Sequence, residues 1–277
     1  MDTYYINLES CKDRRDFIET NFHDFNHRGW TLRRLAATGA DEAKARHLPG
    51  TCTDAEKACI LSHTAAIERS LESAGPVLIL EDDAMFGPTT ELGIDDCLAR
   101  LAKEDSPPYD LLFTDVYFSA VNTMIELSYL RKQMLDEKTL SGVIDLHKLP
   151  FCAATAYIVM PHAKRKLLEL LAAQPAWNTP YDLILQTFCH WGLLRAGVVF
   201  PFMTTLSQLS GKSSIQPDAK MRLDRVSNDF RRIMWRDAEY FHTDDDCSVQ
   251  SFPRDWIDKK SYNLAMILGV YMTLGLY

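Results

Sequence analysis

The chain of 277 residues has no apolar run near the roughly 20 residues that a membrane-spanning helix needs. Its first residues, Met1 to Asn7, contain no basic segment leading into an apolar one, so no signal peptide is expected. There is no C-x-x-C: the seven cysteines (11, 52, 59, 97, 152, 189 and 247) are scattered and odd in number. That pattern argues against a disulfide frame or a zinc site and for mostly buried thiols in a reducing, cytoplasmic compartment. Basic residues are outnumbered, 30 against 38 acids for a net charge of −8, and a general nucleic-acid binder would show the opposite balance. Neither G-x-G-x-x-G nor G-x-S-x-G occurs, so dehydrogenase and α/β-hydrolase readings lack their signatures. No internal repeat or low-complexity linker divides the chain.

Two short motifs fail on context. His23 and His27 have the spacing of a zinc-hydrolase helix, but Asp24 replaces its glutamate and Gly29 stops the helix close behind. Ser210-Gly211-Lys212-Ser213-Ser214 resembles a phosphate-binding loop, yet Leu206 stands where the first glycine belongs.

What is present is an α/β alternation, with 47% hydrophobic residues and length enough for one large core. Tyr4 to Leu8 reads as a strand, Lys12 to Phe22 as a helix capped by Ser10, and Trp30 to Leu35 as a second strand. Thr53 and Glu56 form a capping-box pattern opening a helix that runs to about Ser73. Pro76 to Phe86 follows, a buried-type strand ending in Glu81, Asp82 and Asp83. Further helices are expected over 92–102, 161–173 and 181–191, and strands over 109–116, 149–160 and 198–202. Residues 118–141 read as an insertion without periodicity, and the chain changes character near 215. The expected organisation is a catalytic domain over 1–214 and a mostly helical extension over 215–277 packed on it.

The acidic triplet is the chemical centre. In open α/β sheets ligands bind beyond the carboxyl ends of the strands, and adjacent acids there need a cation or hydrogen bonds to coexist. A hard divalent ion with oxygen ligands, shared with a phosphate-bearing substrate, meets that need. Strand alternation would put Glu81 and Asp83 on one face and Asp82 on the other. A phospho-receiver domain shares such a triplet and a later strand ending in an acid, here Asp115. However, Asp83 and Asp115 are 32 positions apart, whereas two helices and a strand between them take more than about 40 residues.

A longer series of motifs resembles glycosyltransferase family 25, the lipooligosaccharide galactosyltransferase family that also includes collagen galactosyltransferase domains. Tyr4 to Leu8 with Asp13-Arg14-Arg15 resembles its opening, Ala37-Thr38-Gly39 its turn, and Ala58 to His63 its G-C-x-x-S-H helix. Leu78 to Asp83 resembles its L-x-L-E-D-D strand, Thr155 to Val159 its next strand, Pro180-Tyr181-Asp182 its P-x-D, and Pro201 with Gln208 its late segment. Ala58 replaces the family's usual glycine, and Thr38 the turn's acid or amide.

The resemblance implies a GT-A-like nucleotide-sugar transferase fold with a mostly parallel central sheet flanked by helices. It implies inverting transfer of a hexose, typically galactose, from a UDP-sugar donor to a saccharide or glycolipid acceptor such as a lipopolysaccharide core. Asp83, with Glu81 or Asp82, would hold Mn²⁺ or Mg²⁺. Asn7 and Leu8 could contact the uridine, Arg14 or Arg15 the phosphates, and Ser62 and His63 the same crevice. The base that takes the acceptor proton cannot also be a metal ligand, which leaves Asp182, with Asp115 as the alternative. The rival reading is a sugar-nucleotide-fold protein that binds without transfer. The apolar end, Leu264 to Tyr277, is too short to span a bilayer; it is expected to pack on the domain or a partner subunit, or to touch the inner face of a membrane.

Overall fold

The computed structural model describes residues 1–104, 108–211 and 221–240; the expectation for Leu264 to Tyr277 lies outside the described residues. The elements run β1 (Asp2–Asn7), α1 (Lys12–Phe25), β2 (Thr31–Ala36), α2 (Ala40–Ala45), α3 (Asp54–Ser70), β3 (Val77–Glu81), β4 (Ala84–Met85) and α4 (Thr90–Leu101). They continue as β5 (Leu111–Phe113), α5 (Val121–Asp136), β6 (Gly142–Asp145), β7 (Ala156–Val159), α6 (Ala163–Ala172), α7 (Tyr181–His190), β8 (Ala196–Phe200), β9 (Thr205–Leu206) and α8 (Met221–Met234).

Seven strands form one sheet in the order β2-β1-β3-β7-β5-β8-β6. β2, β1, β3, β5 and β8 run one way, while β7 and β6 run against their neighbours. The sheet is thus mostly parallel and flanked by helices, the architecture of a GT-A-like fold. β3 lies inside it and is buried on both faces: Val77 and Ile79 enter one apolar cluster, Leu78 and Leu80 the other. The first cluster packs under α3, α5, α6, α7 and α8 through residues such as Ile60, Leu127, Leu167, Leu185 and Phe230. The second packs under α1 and α4 through Ile18, Phe22, Ile94 and Cys97. Each such aliphatic side chain contributes about 1.5–3 kcal/mol by leaving water, and together they fix where the end of β3 emerges.

Several expected elements shift. The N-cap of α1 is Cys11 without a side-chain cap bond, not Ser10. The strand expected over 149–160 shortens to β7, because Ala153 sits at φ +77° and breaks the extended backbone. The stretch 118–141, which shows no clean periodicity in the sequence, is largely the helix α5. His27 lies past the end of α1, and its backbone N–H, with that of Arg28, donates to Glu91, so no helix face carries the His23/His27 pair. By contrast the capping box of Thr53 and Glu56 opens α3 with both reciprocal hydrogen bonds made.

The approach to β3 is held by a buried lysine. Lys164 of α6 donates from Nζ to the carbonyls of Ser70 (2.7 Å), Ser73 (2.7 Å) and Gly75 (2.8 Å), which close α3 and the turn after it. All three ammonium protons are used, and the side chain is 2% exposed. Lys164→Met would leave three carbonyls without that donor, and its expected cost is about 3 kcal/mol. Urea unfolding checks this; a loss under about 1 kcal/mol would mean that water substitutes for the ammonium.

Candidate active site

β1 and β3 are parallel neighbours, so their carboxyl ends, Asn7 and Glu81, open at one edge of the sheet. Residues 82 and 83 form a turn before β4, and β4 pairs with β9, whose neighbour Ser207 donates its N–H to the Asp83 carbonyl at 2.8 Å. The turn is thereby clamped from both sides.

The three carboxylates go to different partners. Glu81 turns toward α3, where Oε1 lies 3.4 Å from His63 Nε2. Asp82 accepts from Asn7 Nδ2 at 2.7 Å through Oδ2 and from Arg14 Nη1 at 2.8 Å through Oδ1. Asp83 lies 3.5 Å from Arg14 Nη2 through Oδ2, and its Oδ1 is buried without a hydrogen-bond partner. Glu81 and Asp83 stay electrostatic neighbours, the Glu81 charge acting on Asp83 more strongly than that of Asp82. The strand ends at Glu81, and the turn also brings Asp82 and Asp83 to Arg14.

The electrostatics single out Asp83. Burial, then the neighbouring Glu81 charge, push its carboxyl up to about 7, with Arg14 opposing. Burial also raises Asp82 against the pull of Arg14 and Asn7. Glu81 behaves differently: burial pushes it up, but His63, Arg231 and Arg14 together outweigh that and hold it below the usual carboxylate range. A buried, unpartnered carboxylate oxygen beside two further acids is a donor set that a hard divalent cation with oxygen ligands fits.

A cleft of about 140 Å³ opens beside the turn, and Leu8, Arg14, Thr38, His63, Glu81 and Asp82 are among the residues that line it. Of the two candidate arginines, Arg14 is the one in the cleft wall; it also donates to the Leu209 carbonyl at 3.2 Å. Arg15 faces Glu9 and holds Asn7, donating to its Oδ1 at 3.2 Å. Asn7 is 1% exposed and saturated, since Nδ2 also donates to the Cys11 carbonyl and Oδ1 also accepts from Arg34. It shapes the cleft floor and has no side-chain valence left for a ligand. Ser62 has its one proton committed: it accepts from the Thr38 N–H at 2.9 Å and donates to the Ala58 carbonyl at 2.7 Å, pinning the 37–39 turn to α3. His63 stacks on Tyr181 with ring centroids 4.2 Å apart, and its Nδ1 lies 3.0 Å from the Tyr157 hydroxyl.

The model of glycosyltransferase family 25, described as an LPS biosynthesis protein family, matches residues 1–185. The chain belongs to glycosyltransferase family 25. Among curated proteins none matches it. Family membership gives the chain its coarse role, sugar transfer in lipopolysaccharide biosynthesis, and the clamped acidic turn and its cleft fall inside the matched span.

Two further acids complete the glycosyltransferase's candidate set. Asp182, in the first turn of α7, is half-buried and accepts the Ala153 N–H at 2.9 Å through Oδ2. Asp115, just past β5, is fully buried and paired through Oδ2 with Arg231 of α8, which also donates to the Thr155 hydroxyl. Arg231 lies beyond the family-matched residues and gave no sequence signal. It sits in a run of mixed charge, where only the need of a buried acid for a partner could have pointed to it. Arg34, which holds Asn7 from β2, was equally unannounced.

Proposed function

We propose that the chain transfers a hexose, galactose first among the candidates, from a UDP-sugar to a hydroxyl of a lipooligosaccharide or lipopolysaccharide core, inverting the anomeric carbon. The observation that carries this reading is the Asp83 carboxylate, buried at the end of β3 with one oxygen unpartnered and its proton affinity raised. Asp83, with Asp82 or Glu81, would hold Mn²⁺ or Mg²⁺. Bound there, the ion would supply electrostatic stabilisation of the charge that grows on the departing diphosphate.

The chain's own residues do the rest. Leu8, Ile6 and Ala37 give the cleft an apolar wall suited to a nucleoside base, with Thr38 at its rim. Arg14 lies in that wall with its Nη groups on Asp82 and the Leu209 carbonyl beside Asp83, and would meet the donor phosphates by exchanging these partners for them. Asp182 takes the proton from the acceptor hydroxyl as that oxygen attacks the face opposite the diphosphate.

The test is UDP release across a panel of UDP-sugars with a core-saccharide acceptor and Mn²⁺. UDP-galactose should give the highest rate, and excess EDTA should reduce it at least about a hundredfold. Full turnover in EDTA would remove the metal from this reading. Absence of UDP release with every donor would leave a protein that binds but does not transfer.

A further inference from the structure

One cluster in the cleft wall has a chemistry that hexose transfer does not use. Cys59 and His63 lie one helical turn apart on α3 and so share a face of it. Glu81 reaches the same point from the end of β3. The Cys59 Sγ, a His63 ring nitrogen and a Glu81 carboxylate oxygen all lie within 4.8 Å of one another. Sulfur, imidazole and a single carboxylate form a soft ligand set, unlike the all-oxygen set around Asp83.

We infer that Cys59, His63 and Glu81 form a binding site for a soft divalent cation, Zn²⁺ in the first instance; this assigns Glu81 to the soft site and leaves Asp82 as the partner of Asp83 in the hard-cation site of the turn. Around tetrahedral zinc the donor atoms stand roughly 3.3–3.8 Å apart. His63 Nε2 and Glu81 Oε1 are already at 3.4 Å. The remaining closure falls to Glu81, whose side chain is 35% exposed, and to the half-buried Cys59 thiol.

The histidine is oriented for this use. Stacking on Tyr181 fixes its ring plane, and Nδ1 is engaged by the Tyr157 hydroxyl, which is itself 2.8 Å from the Tyr181 hydroxyl. A metal-bound histidine typically donates its other ring N–H in this manner, fixing its tautomer and basicity. Moving that proton to Nδ1, where the Tyr157 oxygen accepts it, frees Nε2 as a ligand. All three side chains line the cleft, so three protein ligands would leave a fourth position open toward it, the pattern of zinc sites that exchange a water or a ligand. The scattered cysteines of the sequence argue against a zinc site by spacing alone; the fold supplies the proximity that spacing does not.

The test uses Co²⁺ as a spectroscopic probe and Zn²⁺ for affinity, on the full chain freed of metal. The wild type should show a thiolate-to-cobalt charge-transfer band at one equivalent, displaced by Zn²⁺, with about one proton released per zinc as the thiol ionises. Cys59→Ser should abolish the band, and His63→Gln should weaken Zn²⁺ binding at least about tenfold. Asp83→Asn should retain both band and affinity, which separates this site from the one proposed for hexose transfer. A wild type without the band, a band that survives Cys59→Ser, or zinc binding lost with Asp83→Asn would each overturn the assignment. Circular dichroism of the variants checks that any loss is local.

Discussion

Asp83→Asn is expected to abolish hexose transfer while raising the melting temperature of the protein above neutral pH. On the role proposed for it, losing the carboxylate would remove several kcal/mol of transition-state stabilisation, or roughly a thousandfold in rate. The stability change has the opposite sign. In the folded chain the Asp83 carboxyl is pushed up to about 7 by burial and by Glu81, from an ordinary value of 3.8. The folded state therefore holds this proton more tightly than the unfolded one. Its contribution to stability is fully present below about pH 4 and is lost as pH rises through 7. At pH 8 the charge is forced on a buried site with one oxygen unpartnered, a penalty on the order of several kcal/mol.

Asparagine carries no charge, keeps the shape, and leaves Arg14 its bonds to Asp82 and the Leu209 carbonyl. The variant should melt roughly 5 °C higher than wild type at pH 8, and the gap should close toward pH 4. Mn²⁺ should raise the wild-type melting temperature by mass action and leave that of the variant nearly unchanged. A variant that is less stable than wild type at pH 8, or that Mn²⁺ stabilises equally, would show that Asp83 is held by something other than its own strain and the ion. The coexistence of lost activity and gained stability is the signature of a site kept for function.

Why Asp83 was legible in the sequence, and Arg231 was not, comes down to which signals are local. Four apolar residues followed by three acids can be read without knowing the neighbours, and so can the Thr53/Glu56 capping box or the proline before α7. α5 escaped because its inward positions include Ser128 and Arg131 beside Met124, Leu127 and Met134. All five follow helical spacing, yet the two polar ones break the apolar pattern. Arg131 is tolerated there because it donates to the Trp235 carbonyl, a partner 104 positions away. Arg231 has the same character: its burial makes sense only once Asp115 and Thr155 are beside it. The overlong strand before Val159 failed for a local reason that composition hides, since Ala153 adopts a left-handed backbone that alanine rarely occupies. In the site itself, the resemblance points to residues around the cleft, but the division of labour among them is set by the fold. Asn7 and Ser62 are held by the scaffold, Arg15 faces away, and Cys59 acquires neighbours that its position in the chain does not advertise.

Asp182→Asn is expected to lower kcat at least about a hundredfold, the usual effect of losing a general base, with UDP affinity nearly unchanged. The choice between Asp182 and Asp115 rests on access. Asp115 is fully buried and bound to Arg231, so a sugar hydroxyl reaches it only if α8 withdraws. Burial raises the Asp115 carboxyl above the usual carboxylate range against the pull of Arg231, so access, and not proton affinity, is what disfavours it. Asp182 is half-buried in the first turn of α7, and the hydrogen bond it accepts occupies Oδ2, which leaves Oδ1 to take a proton.

Asparagine at 182 can still accept the Ala153 N–H through its carbonyl oxygen, so the fold and the donor cleft should survive. Asp115→Asn should behave differently: with its charge gone, Arg231 is left buried without an anion, and the expected loss is about 3 kcal/mol of stability. Its kcat under conditions where the variant is folded should fall less than that of Asp182→Asn. The measurements are steady-state turnover and UDP binding for both variants, with urea unfolding alongside. Near-normal turnover in Asp182→Asn, together with a folded but inactive Asp115→Asn, would exchange the two roles and require that Arg231 release Asp115 during the reaction.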